Sequence, residues 1–332
     1  MHQVVTTPLL QVSGAKVTYR ARHRGDLPVR AVDGVDLSLE SGEVVALVGE
    51  SGCGKTTLAR AVLGLQPLTG GSISFMGSPL PTSNAGLRAY RRKAQLIFQD
   101  PTGSINPRHS IYEIVAEGLR IHRERADEEA RVAAALSHCG LRPPEQFFLR
   151  FPHELSGGQR QRVVIAGAMV LQPSLLVADE PVSSLDASVR GEILQLLLGL
   201  SRESGMTILV VTHDLGLAWN IADKVAVMYL GRIVEVGRTE QILESPQHPY
   251  TKALLSVVPE HDRVEQQILT GEAPDPTHIP VGCRFHPRCP LYQSGEAERL
   301  GIADACTTDD PMLIDGVACH AARLRQTAGE AL

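Results

Sequence analysis

The sequence lacks any apolar run that approaches the ~20 residues required by a membrane-spanning helix. Its first 20 residues, MHQVVTTPLLQVSGAKVTYR, also lack the basic segment, the apolar segment and the cleavage site of a secretory signal. Positive charge is not in excess either, because 32 basic and 37 acidic residues give a formal net charge of −5. These absences predict a cytosolic protein whose overall charge does not favour nucleic-acid binding.

Cysteine is scarce, with 6 residues among 332. In a cytosolic chain of this length, cysteines are expected to be reduced thiols or metal ligands rather than disulfides. Four of them, Cys283, Cys289, Cys306 and Cys319, fall within the last 50 residues. Together with the length of the chain, this clustering predicts one large domain followed by a smaller C-terminal unit.

The strongest local pattern is EVVALVGESGCGKTTLARAVLG at residues 43–64. A buried β-strand is predicted at 43–48 and a helix after Lys55, and between them lies a full match to the phosphate-binding loop G-x-x-x-x-G-K-[ST]. Glycines let backbone N–H groups converge on phosphate oxygens, Lys55 adds a positive charge, and the Thr56 hydroxyl is a ligand for Mg²⁺. The residues expected to contact the nucleotide are Gly49, Ser51, Gly52, Cys53, Gly54, Lys55, Thr56 and Thr57.

A second pattern, SLLVADEP at residues 174–181, supplies the carboxylates that a phosphate-binding loop requires. The apolar residues predict a buried strand, and Asp179 and Glu180 come at its carboxyl end, where open α/β sheets bind ligands. We expect Asp179 to orient Mg²⁺ and its waters. Glu180 is expected to act as the general base for the attacking water.

Residues 155–159, Leu-Ser-Gly-Gly-Gln, resemble the signature of the ATP-binding-cassette (ABC) ATPases. Further elements occur in the order typical of that family across residues 10–240. They are Tyr19 upstream of the loop, Gln99 in LIFQDP, Asp186 in SLD and His213 in VVTHDLG. Each fragment is unremarkable alone, and their common order carries the resemblance.

The resemblance implies that two nucleotides are held between two cassettes, so that a monomer is nearly inactive. The signature residues of one chain then face the γ-phosphate bound to the other chain, and Asp186 lies across the dimer interface. A serine hydroxyl, glycine N–H groups and a helix N-terminus suit this contact. The signature residues concerned are Ser156, Gly157, Gly158 and Gln159.

Other roles also follow from the resemblance alone. Tyr19 is expected to lie under the adenine, and His213 to contact the γ-phosphate and keep Glu180 and the water in line. Gln99 is expected to reach Mg²⁺ and the water and to report the state of the nucleotide. The Mg²⁺ ligands are then Thr56, Gln99 and Asp179.

The predicted fold is α/β: a RecA-like P-loop core of the ABC type with an antiparallel β subdomain and a helical subdomain. The nucleotide-binding domain is assigned to residues 1–245, with the helical subdomain at about 100–165. A hairpin is predicted around Gly231. Residues 246–332 form the cysteine-containing extension.

The segments FQDPTGSINPRHS and ESPQHPYTKALLSVVP resemble the ATPases of oligopeptide and dipeptide importers. The resemblance implies a peripheral protein on the cytoplasmic face of the inner membrane. Its partners are a second ABC ATPase subunit, identical or different, two membrane permease subunits and, through them, an extracytoplasmic solute-binding protein. Nickel or another small solute, or an ABC ATPase without a transport role, are the alternatives.

The four C-terminal cysteines have the spacing C-x₅-C-x₁₆-C-x₁₂-C, beginning at Cys283. Four thiolates can complete a tetrahedral zinc site or a [4Fe–4S] cluster, and this spacing matches neither common pattern. The family resemblance implies the iron–sulfur cluster, with zinc or free thiols as alternatives. The cluster would then hold together a tail that is too small to form its own core.

Overall fold

The computed structural model describes residues 7–21, 27–98, 101–183, 185–256, 269 and 275–329. The strands are β1 (Leu10–Tyr19), β2 (Val29–Leu39), β3 (Val44–Val48), β4 (Gly70–Phe75), β5 (Ser78–Pro79), β6 (Ala94–Ile97), β7 (Leu175–Asp179), β8 (Thr207–Thr212), β9 (Lys224–Tyr229) and β10 (Arg232–Arg238).

The helices are α1 (Lys55–Val62), α2 (Asn84–Lys93), α3 (Pro101–Ser104), α4 (Ile111–Ile121), α5 (Glu128–His138), α6 (Gly157–Met169), α7 (Ala187–Ser204), α8 (Leu215–Ile221), α9 (Thr239–Glu244), α10 (Pro249–Leu255), α11 (Pro290–Gln293), α12 (Glu296–Arg299), α13 (Ala303–Thr308) and α14 (His320–Gly329). Single 3₁₀ turns lie at Pro144–Gln146, Pro152–Glu154 and His286–Arg288. Within the described ranges, none of these helices is long and apolar enough to span a membrane.

The chain divides into two compact units. The first comprises Met1–Leu10, Leu39–Val44 and Ser74–Val211, and the second comprises Gln11–Ser38, Val45–Ile73 and Thr212–Leu332. The predicted α/β class is confirmed, because both parallel and antiparallel strand pairs occur together with helices.

The first unit contains a parallel sheet, in which β6 pairs with β7 and β7 pairs with β8. Every residue of β7 is buried, as its uninterrupted apolar run predicts. The register places Asp179 opposite Val211, at the carboxyl end of both strands. Polar side chains that follow β7 therefore lie at the edge of the sheet where ligands bind in α/β folds.

Helices α4, α5 and α6 pack together in the first unit. Ser110 is the N-cap of helix α4. Its hydroxyl accepts a hydrogen bond from the Glu113 N–H at 3.3 Å, while the Glu113 carboxylate accepts one from the Ser110 N–H at 2.8 Å. This reciprocal cap satisfies two N–H groups at the end of the helix. The buried residues Ile111, Val115 and Leu119 recur every four positions, which is the helical spacing of an apolar face.

In the second unit, β1 lies between β2 and β4, and β3 pairs with β9 in parallel. Strands β9 and β10 form the predicted hairpin, which turns at Leu230 and Gly231. Gly231 adopts φ of +79°, a left-handed conformation that glycine reaches without steric cost. Its N–H donates to the carbonyl of Cys53 at 2.8 Å, so the hairpin turn contacts the phosphate-binding loop directly.

The C-terminal extension packs on the same hairpin. The rings of Tyr229, Tyr250 and Phe285 lie 4.7–5.3 Å apart in edge and tilted contacts, and each side chain is at most 1% exposed. Backbone bonds from Val236 N to Gly316 O and from Ala318 N to Val234 O add the last segment to β10. Buried aromatic contact and strand pairing therefore hold the extension in place.

Candidate nucleotide site

Two glycines of the phosphate-binding loop lie where a side chain cannot fit. A Cβ atom on Gly49 would lie 2.1 Å from the carbonyl oxygen of Met228, and one on Gly54 would lie 2.0 Å from that of Ala31. Gly54 also has φ of +109°, which L-residues rarely adopt. By contrast, Gly52 has φ of +79° with no atom within 4 Å of its Cβ position. The loop is therefore packed against β2 and β9 at its two ends and open in the middle.

Lys55 is the first residue of α1 and is only 6% exposed. Its ammonium donates to the carbonyl oxygens of Gly49 at 2.6 Å and Glu50 at 2.9 Å. These bonds hold the loop in a curve around the lysine. The N-cap residue of α1 is Gly54, which has no side chain to accept the first N–H groups of the helix. The helix end therefore presents N–H donors, with the positive end of the helix dipole, beside the Lys55 charge.

The other loop residues lie at or near the surface. Ser51 and Gly52 are exposed, and Thr56 and Thr57 are half-buried. Tyr19 ends β1, is 37% exposed, and its hydroxyl lies 3.4 Å from the Thr57 hydroxyl. The structure thus brings the predicted adenine contact and the phosphate-binding loop together in the second unit.

Cys53 is buried, with 6% of its surface exposed. Burial raises the pKa of its thiol above the ordinary value of 9.0, although the nearby Lys55 charge acts in the opposite direction. Its carbonyl accepts the hydrogen bond from Gly231. Cys53 therefore packs the base of the loop.

Asp179 and Glu180 lie at the end of β7 in the first unit. Asp179 is 8% exposed. Glu180 has φ of +48°, which is uncommon for a residue with a side chain, and its N–H donates to the carbonyl of Val211 at 2.8 Å. The Glu180 carbonyl accepts hydrogen bonds from both the N–H and the hydroxyl of Ser183. A strained backbone held by three bonds is typical of a residue whose side chain must point in one direction for function.

The signature residues form the start of α6, also in the first unit. Ser156 is exposed and is the N-cap: its hydroxyl accepts from the Gln159 N–H at 3.3 Å, and the Gln159 side chain accepts from the Ser156 N–H at 3.1 Å. A Cβ atom on Gly158 would lie 2.7 Å from a methyl group of Val189. The glycines therefore allow the end of α6 to approach the segment that carries Asp186.

Asp186 is exposed and is the N-cap of α7, and its carbonyl accepts from the N–H groups of Val189 and Arg190. His213 is exposed, in the turn that follows β8 in the second unit. The next residue, Asp214, caps α8 through a 3.1 Å bond from the Leu217 N–H, which fixes the backbone beside the histidine. Gln99 lies outside the described residues.

The predicted metal site of the C-terminal cysteines is wrong. Among the residues that the structure describes, no group of three or more His, Cys, Asp or Glu side chains could hold a metal ion, and no disulfide joins any of the six cysteines. The predictions of a [4Fe–4S] cluster and of its zinc alternative at Cys283, Cys289, Cys306 and Cys319 are therefore both wrong.

The physical reason is that these cysteines are part of apolar packing. Cys283 and Cys289 contact the aromatic cluster around Phe285, and Cys306 packs on a second apolar cluster that contains Cys319. All four cysteines, together with ten other residues, line a cavity of about 20 Å³. Burial raises the pKa of Cys283 to about 12 and that of Cys306 to about 11. The cysteines therefore take part in the apolar packing of the extension.

Sequence reasoning missed a contact between the extension and the phosphate-binding loop. Arg288 donates to the two carboxylate oxygens of Glu50 at 2.8 and 3.1 Å, and the Tyr250 hydroxyl accepts from the Glu50 N–H at 2.9 Å. Glu50 occupies a position at which the loop pattern accepts any residue. No local signal in the sequence links it to residues 200 and 238 positions away.

Comparison with protein families finds two matches. Residues 32–183 match a family described as ABC transporter. Residues 234–295 match one described as the C-terminal region of oligopeptide/dipeptide transporters.

Two curated relatives extend the similarity over most of the chain. The dipeptide transport ATP-binding protein DppF of Haemophilus influenzae is 45% identical over 85% of this chain and 89% of its own length. The oligopeptide transport ATP-binding protein OppF of Salmonella typhimurium is 46% identical over 79% of this chain and 81% of its own.

Solved structures share the fold of the larger part of the chain. The structure titled CbiO1 from Clostridium perfringens, part of the ABC transporter complex CbiONQ, aligns with a TM-score of 0.64 and 31% identity over 72% of this chain and 91% of that one. The dimeric post-hydrolysis structure of the ATP-binding cassette MJ0796 with ADP and Pi gives a TM-score of 0.62 and 28% identity over 69% of this chain and 98% of that one.

Proposed function

The chain belongs to the ABC transporter family, and from this membership we propose that it is the ATP-hydrolysing subunit of a peptide importer. The relatives named for dipeptide and oligopeptide transport, with the match of residues 234–295 to the C-terminal region of such transporters, support the peptide substrate. The observation that carries the ATPase assignment is the phosphate-binding loop, in which the buried Lys55 ammonium and the uncapped start of α1 lie side by side.

In this proposal the loop binds the triphosphate of ATP. Lys55 exchanges its carbonyl partners for the β- and γ-phosphate oxygens, and the N–H groups of α1 bind the same phosphates. Tyr19 lies under the adenine, beside Thr57 at the edge of the loop. Partly exposed aromatic surface suits stacking on a base.

The residues present fit Mg²⁺, which prefers hard oxygen ligands. The Thr56 hydroxyl, the Asp179 carboxylate and the Gln99 side chain all remain predicted ligands. When bound, Mg²⁺ neutralises charge on the β- and γ-phosphates. Asp179 is buried at the end of β7, so the position of its carboxyl group is restricted by the strand.

We assign the proton transfer to Glu180. Its carboxylate accepts a proton from the water that attacks the γ-phosphorus in line, and ADP leaves as the bond to the β-phosphate oxygen breaks. The strained backbone of Glu180, held by Val211 and Ser183, fixes the direction of the side chain. His213 positions the water and the γ-phosphate from the exposed turn after β8.

The Ser156 hydroxyl and the N-terminus of α6 are exposed, so a second ATPase subunit can place its γ-phosphate there. The catalytic unit in this proposal is a dimer of such subunits, identical or different, with two nucleotides between them. Separate permease subunits couple its closing and opening to peptide import, supplied by an extracytoplasmic binding protein. The ATPase lies peripherally on the cytoplasmic face of the membrane, with residues 1–245 as the nucleotide-binding domain and 246–332 as the extension.

Purification of the tagged chain from its native membrane tests this proposal. Co-purification of a second ATPase and two membrane subunits, and ATP-dependent uptake of a labelled dipeptide or oligopeptide by vesicles that contain them, is the expected result. Uptake of nickel or another small solute instead would contradict the peptide assignment. Purification without membrane subunits would favour a non-transport ATPase.

The Glu180→Gln variant tests the general base, since the amide keeps the shape of the side chain but removes the carboxylate that accepts the proton. It should bind MgATP normally and hydrolyse it ~10²–10⁴-fold more slowly. Turnover near that of the wild type would show that Glu180 is not the general base.

A further inference from the structure

The C-terminal extension holds one residue of the phosphate-binding loop, Glu50, at two separate atoms. The guanidinium of Arg288 donates to both carboxylate oxygens, at 2.8 and 3.1 Å. The hydroxyl of Tyr250, at the start of α10, accepts from the backbone N–H at 2.9 Å. All three residues lie in the same compact unit.

This contact has the geometry of a fixed ion pair rather than of a surface pair. Two parallel N–H to oxygen bonds define the orientation of both groups. The Arg288 side chain is 11% exposed and that of Glu50 is 27% exposed, so water screens the pair only weakly. The Glu50 carboxylate is also the principal cause that raises the pKa of Arg288. An ion pair of this kind restricts the loop as long as both partners are present.

Glu50 in turn contacts the lysine of the loop. Its backbone carbonyl accepts a hydrogen bond from the Lys55 ammonium at 2.9 Å. The chain of contacts therefore runs from the extension through a single residue, Glu50, to the charge that binds phosphate. The aromatic cluster of Tyr229, Tyr250 and Phe285 supports the extension side of this chain and contains no exposed ring.

We propose that the C-terminal extension positions the phosphate-binding loop, and that Arg288 and Tyr250 are positioning residues that set its affinity for MgATP through Glu50. The inference rests on the proposed ATPase function. A carboxylate in the loop repels a triphosphate, and Arg288 neutralises that carboxylate and holds it towards the extension. Without the arginine, the same carboxylate is a free negative charge next to the bound phosphates.

The test is equilibrium binding of MgATP to the purified full chain by titration calorimetry. Arg288→Met keeps the apolar stem and removes the charge, and it should raise the Kd about tenfold, or ~1.4 kcal/mol. In the double variant Arg288→Met/Glu50→Gln the unpaired carboxylate is also gone, so the Kd should return to within about threefold of the wild type. Arg238→Met is the matched control. In the described part of the chain, the Arg238 side chain forms an exposed ion pair with Glu240 at 3.8 Å, and the Kd of this variant should be unchanged.

Rescue by the second substitution separates positioning from a structural role. Loss of folding alone would reduce the fraction of competent protein and leave the Kd of the remainder unchanged, and Glu50→Gln would not correct it. A wild-type Kd in Arg288→Met, or a double variant as weak as the single one, would overturn the inference. If Arg288→Met does not fold, Tyr250→Phe replaces it and should raise the Kd about fivefold because the acceptor for the Glu50 N–H is lost. An unchanged Kd there would equally overturn it.

The same titrations distinguish failure of the inference from failure of the proposed function. If the wild type and Arg238→Met bind no MgATP, the ATPase assignment fails, and the inference fails with it. If they bind MgATP and the Arg288 variant binds it equally well, the inference alone fails.

Discussion

Replacing Gly54 by alanine tests how strictly the tertiary structure fixes the phosphate-binding loop. The new Cβ would lie 2.0 Å from the Ala31 carbonyl oxygen, while ordinary contacts begin at 3.4 Å, so one of the two backbone segments must move by about 1.4 Å. Both segments are backbone, so neither can move aside as easily as the end of a flexible side chain would. Because Lys55 follows directly, the movement displaces the lysine and the first N–H groups of α1.

The expected effect on binding is large. Overpacking with backbone strain costs ~1–3 kcal/mol, and the same strain opposes the loop conformation that binds phosphate. Gly52→Ala is the matched control in the same loop. Its φ of +79° is also unfavourable for alanine, but nothing lies within 4 Å of its Cβ, so it should lose only ~1 kcal/mol of stability and keep most of its MgATP affinity.

Calorimetric titration with MgATP and urea unfolding of both variants make the comparison. Gly54→Ala should show a Kd that is ~10–10²-fold higher, while Gly52→Ala remains close to the wild type. If the two variants behave alike, the contact with Ala31 does not determine the conformation of the loop, and the reasoning is refuted.

Three further predictions follow from single residues. Ser156→Ala should lower the unfolding free energy by ~1 kcal/mol, whereas Ser156→Asn keeps the cap; if urea unfolding finds the two equally stable, the cap does not matter. Burial lowers the pKa of His248 from its ordinary value of 6.5 to about 3. The free energy of unfolding should therefore be ~2 kcal/mol lower at pH 5 than at pH 7, and this decrease should occur only between pH 6.5 and pH 3. His248→Asn, which keeps an N-cap acceptor for the Tyr250 N–H, should remove that dependence in urea titrations, and an unaltered pH profile would contradict it. Alkylation of Cys53 by iodoacetamide, followed by mass spectrometry, should be slow at pH 7 and faster at higher pH, and should block MgATP binding; rapid reaction at pH 7 would contradict its buried position.

Local sequence patterns predicted several individual strands, turns and helix ends. The apolar run before Asp179 is a fully buried strand, Gly231 lies at the turn of a hairpin, and Ser156 begins a helix. Each of these elements depends on backbone hydrogen bonding and side-chain direction within a few residues, so the residue types in that short stretch predict it. The family match extends this to the ABC fold, which the solved structures share.

The cysteines of the extension show where such patterns stop. Spacing specifies which atoms could bind a metal, but not whether their surroundings are polar or apolar. In the structure, Cys283 and Cys289 pack against the apolar cluster that contains Phe285, and burial raises the pKa of both thiols. The prediction failed because the burial of a residue is a property of the whole fold.

The phosphate-binding loop, the Asp-Glu pair after β7 and the signature at the start of α6 can be read from the residues alone, since each is a short pattern with its own chemistry. The surroundings of these three patterns depend on the tertiary structure. It placed Arg288 on Glu50 across 238 residues of chain and closed the ends of the loop against Ala31 and Met228. Contacts between residues so far apart depend on how the strands and the extension pack together, and no local periodicity records that packing.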